Sequence, residues 1–488
     1  MGLSTSEHQC SKQCTPELCN WARFAQQKGL KKTTDPAYTC DLWNNYETYI
    51  SQLKKNCHIN ALRFSIERAL VEQAEGTFDQ DALQHYADMF KYCINNDITP
   101  IVCFHHYTDP CWFADKGGFE KAENCPSFAT YCATVYKKIM IEVNNDTNVR
   151  EKLESMTTQG RAPLFATFNA AEGVAFKGYY TQEGPPANPE KKGFGITQQV
   201  LHNMCEAHVL AYKEIKKAYQ TLNEQYPSLA EPQIGLLKNI VQIDPIPVKY
   251  LMVQLSLCNT WGENAQIVKK TLMRLMRRPL GSMCKAVGED LQNEGMFNFF
   301  TNGQFRLNTL GMLSSEHNED APKSLDWIGL NHYSDTFVDG FKRVPEEREE
   351  YATDNSNYRV SSDTLIRAIK ELNDRMVTPI KKKTGKDIKI VVTENGVATQ
   401  DDRKRNHFYL KTLYALTKAI KDYKLPVRGY LSWTAFNNYE WPKTDGSAKE
   451  QSDNRVYGLC SVSDDGKTLT PKKGSDFFCK FAEEVTKS

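Results

Sequence analysis

Seven short apolar runs recur along the chain, and long amphipathic segments separate them. The runs are NALRFSI (60–66), TPIVCFHH (99–106), PLFATFN (163–169), QIGLLKN (233–239), DWIGLNHY (326–333), KIVVTEN (389–395) and VRGYLSW (427–433). Between the first two, residues 79–96 place Leu83, Tyr86, Phe90, Cys93 and Ile94 on one helical face. After the second, Phe128, Tyr131, Cys132, Val135, Tyr136, Ile139 and Met140 keep the same period. Continuous apolar strands alternating with helices call for a parallel sheet covered by helices. With GLSTSE at the start as an eighth strand, the pattern predicts a closed α/β barrel, the (β/α)8 TIM barrel, formed by residues 1–488 as one domain. An open nucleotide-binding sheet is disfavoured, because neither G-x-G-x-x-G nor G-x-x-x-x-G-K-[ST] is present.

The runs end in Arg63, His105 and His106, Asn169, Asn239, Asn331, Glu394 and Trp433. Strand ends of a barrel converge on one face, where catalytic sites are assembled. Singly, such an Asn caps a helix and such a His is a hydrogen-bonded core residue. Together, and with Trp441 nearby, they make a surface suited to many hydroxyls and one apolar sugar face.

Charge narrows the partners. With 61 Lys plus Arg against 60 Asp plus Glu, the net charge of +1 supplies no field for nucleic acid or an anionic membrane. No apolar run is long enough to span a bilayer. The opening MGLSTSEHQCSKQC lacks a basic region followed by an apolar stretch, so a cytoplasmic protein is expected. Gly2 with Ser6 fits a short myristoylation pattern that would anchor only marginally. The 15 cysteines include no Cys-x-x-Cys pair and are read mostly as reduced thiols. Cys10, Cys14 and Cys19 alone are close enough to suggest zinc, but they lack a fourth partner of the usual kind, so no metal is expected.

At the strand tips the sequence resembles the family 1 glycoside hydrolases, retaining β-glycosidases on an eight-stranded barrel. VVTENG (391–396) resembles the nucleophile signature and implies Glu394 as nucleophile. RFSIE (63–67) resembles the strand whose Arg63 holds that carboxylate, and DWIGLNHY the strand carrying Asn331 and Tyr333. FHHYTDPCWFADKGGF (104–119) is similar to the family's His-aromatic stretch, WTAFNNYEW (433–441) to its sugar-binding loop, and STSEHQ (4–9) to its first strand. The resemblance implies a glycone site of Gln9, His106, Asn169, Asn331, Trp433, Glu440 and Trp441, a small β-glycoside or oligosaccharide as substrate, and no cofactor. Retained Glu440 favours an unphosphorylated glucose-like or galactose-like glycone. Departures occur at Arg68, Leu70, Thr108, His332 and Asn437.

The largest departure is at the fourth strand. The family motif there is Thr-x-Asn-Glu-Pro, and its Glu is the general acid/base. This chain has Thr167, Phe168 and Asn169, followed by Ala170 and Ala171. Retaining hydrolysis uses two carboxyl groups about 5 Å apart, and a methyl group cannot replace one. Four explanations stay open at this point. Glu172 could substitute, although two extended residues displace it by about 6.6 Å, which leaves a solvated loop acid. The Ala could be an engineered exchange. The substrates could need no acid, as for the family's thioglucosidases, which have Gln there. Or the chain could be a sugar- or partner-binding pseudoenzyme, as among the family's Klotho members. The insertion at 248–283 is expected to shape the aglycone mouth, and KKTLMRLMRR within it reads as a helix with a solvated basic face.

Overall fold

The computed structural model describes the chain apart from residues 31–39, 246–272, 274, 308–314, 334, 340–341, 345–361, 442–455 and 488. Eight parallel strands close a barrel: β1 (Gly2–Ser4), β2 (Ala61–Ser65), β3 (Thr99–His105), β4 (Leu164–Asn169), β5 (Gln233–Asn239), β6 (Trp327–Asn331), β7 (Lys389–Glu394) and β8 (Val427–Trp433). Each strand lies beside its neighbours in sequence, and β1 closes on β8 through Gly2 opposite Leu431 and Ser4 opposite Trp433. All seven apolar runs and the proposed first strand are therefore barrel strands.

The apolar character of the strands has two destinations. Ile101, Cys103, Leu164, Ala166, Leu237, Trp327, Val391 and Leu431 fill the barrel interior as one cluster. The alternate residues pack outward against the helices. Trp327 is the largest interior side chain, and its indole N–H donates to the Phe165 and Gln233 carbonyls, each at 3.2 Å. It fits because its neighbour on β5 is Gly235. A Cβ there would stand 2.3 Å from the Trp327 carbonyl oxygen and 3.0 Å from the ring. Gly235→Ala is accordingly expected to destabilise the fold by about 1–3 kcal/mol, read as a lowered urea midpoint with an unchanged slope.

The helical periods also hold. Residues 80–95 form a helix, Gln80–Asn95, started by Asp79, whose Oδ1 accepts from the Asp81 and Ala82 amides at 3.0 and 2.9 Å. All seven apolar residues of the second period are buried on Cys125–Asn145. Gly2 is buried in β1 between two strands, so the acylation pattern falls on a paired strand rather than on a free arm. The thirteen described cysteines are free and buried. Among the described residues no helix is long and apolar enough to cross a membrane. The insertion lies largely outside the described residues, which resume at Met273 and include the helix Arg278–Glu289.

Candidate active site

The carboxyl ends of the strands surround a cavity lined by Gln9, His106, Tyr107, Asn169, Ala170, Asn239, Asn331, Tyr333, Glu394, Trp433, Glu440, Trp441 and Tyr457. Every site residue expected from sequence lines it except Arg63, which lies beneath the floor. A larger cavity beside it, about 370 Å³, includes Trp21, Asp109, Tyr179 and Pro185 and shares only Tyr107 with the first. The converging polar groups are in the smaller one.

Glu394 ends β7 and is fixed at both oxygens. The fully buried Arg63 guanidinium reaches Oε1 at 2.5 Å, and the Tyr333 hydroxyl donates to Oε2 at 2.7 Å. Burial, with the Glu394 charge second, pushes the Tyr333 hydroxyl well above its ordinary pKa, so it remains a donor. Arg63 also donates to Asn169 Oδ1 at 3.1 Å, where Asn331 Nδ2 donates too at 2.9 Å. Thr393 fixes Asn331 through a bond to its Oδ1 at 2.7 Å. A buried ion pair by itself is weak evidence of stabilisation. Here two donors and a shared Asn define one carboxylate orientation, which is a positioning device.

The walls are polar and aromatic. Asn169 Nδ2 donates to His106 Nε2 at 3.2 Å. Burial, followed by the Arg63 charge, holds the His106 pKa well below its usual value, so the ring is neutral and its proton belongs on Nδ1. Gln9 Nε2 is tied to the Tyr439 carbonyl at 2.7 Å, and Trp433 Nε1 donates to Glu440 at 3.3 Å. The Trp441 ring lies against His106, Tyr107, Trp21 and His8. His105, although adjacent to His106, turns away to Asp109 at 3.3 Å and to Phe119, Phe128 and Phe168.

Ala170 presents only a methyl group to the cavity. Its backbone is left-handed, φ 48° and ψ 60°, and the helix Ala171–Phe176 starts immediately afterwards. This turn overturns the extended geometry assumed for Glu172. Glu172 is not a solvated loop acid either. It is buried, accepts the Asn239 amide at 2.7 Å and pairs with the buried Lys238 ammonium at 3.1 Å. It does not line the cavity, whose described carboxylates are Glu394 and Glu440.

Tyr107, Tyr457 and Thr393 were not singled out from sequence. Tyr107 follows a strand tip and adopts φ 74°. Tyr457 packs edge-on against Tyr333 at 5.8 Å. Thr393 faces the barrel interior on the same alternation as Val391, whereas Glu394, beyond the register shift after Val392, departs from that alternation.

A profile described as glycosyl hydrolase family 1 matches residues 16–486. The chain belongs to glycosyl hydrolase family 1. Family 1 relatives span nearly its full length. A 6-phospho-beta-galactosidase of Clostridium acetobutylicum is 23% identical over 96% of this chain and 91% of its own. Beta-glucosidase 11 of Oryza sativa subsp. japonica is 22% identical over 95% and 84%. The fold is likewise that of family 1 structures: the beta-glycosidase from Pyrococcus horikoshii superposes with a TM-score of 0.69, at 23% identity, over 99% of this chain and 93% of that one.

Proposed function

We propose that the protein hydrolyses O-glycosyl bonds of β-glycosides by the retaining route, through a covalent glycosyl ester on Glu394, with the acid/base position vacated at Ala170. The observation that carries this reading is the clamping of both Glu394 oxygens by Arg63 and Tyr333. A binding protein has no need to aim a carboxylate this tightly, whereas an attacking carboxylate does. Gln9 Oε1 and His106 Nδ1 are buried without a protein hydrogen-bond partner, as befits groups that serve a ligand. Asn169, Asn331, Trp433, Glu440 and Trp441 complete the sugar-binding set in this reading. Glu440 would repel a phosphate on the glycone, so we assign an unphosphorylated glucose-like or galactose-like sugar, in contrast to the name of the clostridial relative. The buried free thiols support a reducing, cytoplasmic setting.

In this mechanism a Glu394 oxygen attacks the anomeric carbon while the bond to the leaving oxygen breaks. Without an acid at 170 the leaving group departs as an anion, so only an activated substrate reacts quickly. No carboxylate at 170 then activates water, and the ester accumulates. Turnover of dinitrophenyl β-glucoside with and without azide tests this. Azide is expected to enter beside Ala170, displace Glu394 from the sugar and accelerate turnover with β-glucosyl azide as product. Fast hydrolysis indifferent to azide would mean that another acid serves the site. Ala170 itself favours a second reading, a sugar-binding pseudoenzyme. That reading prevails if gluco-, galacto- and manno-configured substrates are all inert under both conditions.

A further inference from the structure

Outside the sugar cavity, the loop following β1 brings together a second set of reactive side chains. His8 Nδ1, Cys14 Sγ, Cys19 Sγ and a Glu67 carboxylate oxygen all lie within 4.8 Å of one another, and all four residues are buried. His8 Nδ1 stands 3.7 Å from Cys19 Sγ and 3.7 Å from Glu67 Oε2. Around zinc, with bonds of about 2.0–2.3 Å, tetrahedral ligands are roughly 3.3–3.8 Å apart. Two edges of such a tetrahedron are therefore already formed.

We propose that His8, Cys14, Cys19 and Glu67 form a closed structural zinc site that clasps the loop after the first strand to the tip of the second. Cys14 and Cys19 are two of the three cysteines whose spacing lacked a fourth partner in sequence. Fold topology supplies His8 from the short helical turn Glu7–Cys10 just upstream and Glu67 from two residues past the end of β2, while Cys10 is not part of the set. Two thiolates and an imidazole select zinc over magnesium or calcium, and four protein ligands leave no open position for catalysis.

The surroundings fit a metal ligand set. Thr108 Oγ1 lies 3.1 and 2.9 Å from the two Glu67 oxygens, and the Ala69 amide donates to Oε1 at 3.3 Å, which orients the carboxylate. Among the described residues no Lys or Arg pairs with Glu67; the adjacent Arg68 turns to Glu72 at 2.8 Å. The buried carboxylate thus has only His8, at 3.7 Å, as a basic neighbour, and a divalent ion bound by both would provide the compensating charge.

The clasp lies under one wall of the sugar cavity. His8 stacks on Trp441 with ring centroids 5.6 Å apart and immediately precedes Gln9. Zinc would thus hold Gln9 and Trp441 in place without touching substrate. This consequence rests on the proposed sugar-binding role of those two residues, whereas the metal site itself does not.

Elemental analysis of the full-length protein after exhaustive dialysis tests the site independently of activity. About one zinc per chain is expected, lost in Cys14→Ser and Cys19→Ser and retained in Cys10→Ser. Because a ligand variant can fail to fold, the second measurement uses the intact chain. Zinc is exchanged for cobalt, and the absorption spectrum is expected to show thiolate-to-cobalt charge transfer and tetrahedral ligand-field bands. Sub-stoichiometric zinc with an octahedral cobalt spectrum, or a Cys14–Cys19 disulfide found by peptide mass, would overturn the proposal. With the metal shown, an unchanged KM for glycoside after zinc removal would contradict only the coupling to Gln9 and Trp441.

Discussion

Ala170→Glu is expected to raise turnover of β-glycosides with poor leaving groups by roughly 10²–10⁴-fold, the usual worth of general acid/base assistance. The position tolerates the exchange, because Ala and Glu both carry a Cβ and the left-handed backbone at φ 48° costs each about the same. A glutamate would extend from a residue that already lines the cavity with Glu394. For dinitrophenyl glycosides the ester-forming step should change little, since that leaving group needs no proton, but breakdown of the ester should accelerate. Steady-state and burst kinetics on the two substrate types separate these effects. The variant should also gain an alkaline limb in its pH–rate profile, from loss of the new acid's proton, that the parent lacks.

The second large effect is at the nucleophile. Glu394→Gln should lower turnover even of dinitrophenyl glycosides by about 10⁴-fold or more, as removal of a covalent nucleophile does elsewhere. Gln keeps the shape and can still accept from Tyr333, but it forfeits the charge that faces Arg63 at 2.5 Å. Azide should not rescue this variant through a retained β-glycosyl product, because no ester exists for it to intercept. Comparable residual activity in both proteins would remove Glu394 from the mechanism.

The barrel was legible because seven of its eight strands are continuous apolar runs, and because a parallel strand buried on both sides needs that composition. The site was legible at the strand tips for the same reason: where the runs stop, the fold turns polar groups to one face. Other features depend on geometry that sequence spacing does not carry. Glu172 was misjudged because the chain turns at Ala170 rather than extending, which buries the acid against Lys238. The inward turn of Glu394 coincides with a register shift after Val392, and Tyr107 depends on a left-handed turn. His8, Cys14 and Cys19 share one short stretch, but only the pairing of β1 with β2 brings the distant Glu67 to them.

Covalent trapping tests the central claim most directly. The protein would be incubated with a fluorosugar β-glycoside bearing a dinitrophenyl leaving group, then measured by intact mass and peptide mapping. The account predicts one glycosyl adduct per chain, on the peptide containing Glu394, long-lived and released by azide as the β-glycosyl azide. Absence of an adduct despite binding of the sugar, or an adduct on any other carboxylate, would contradict it.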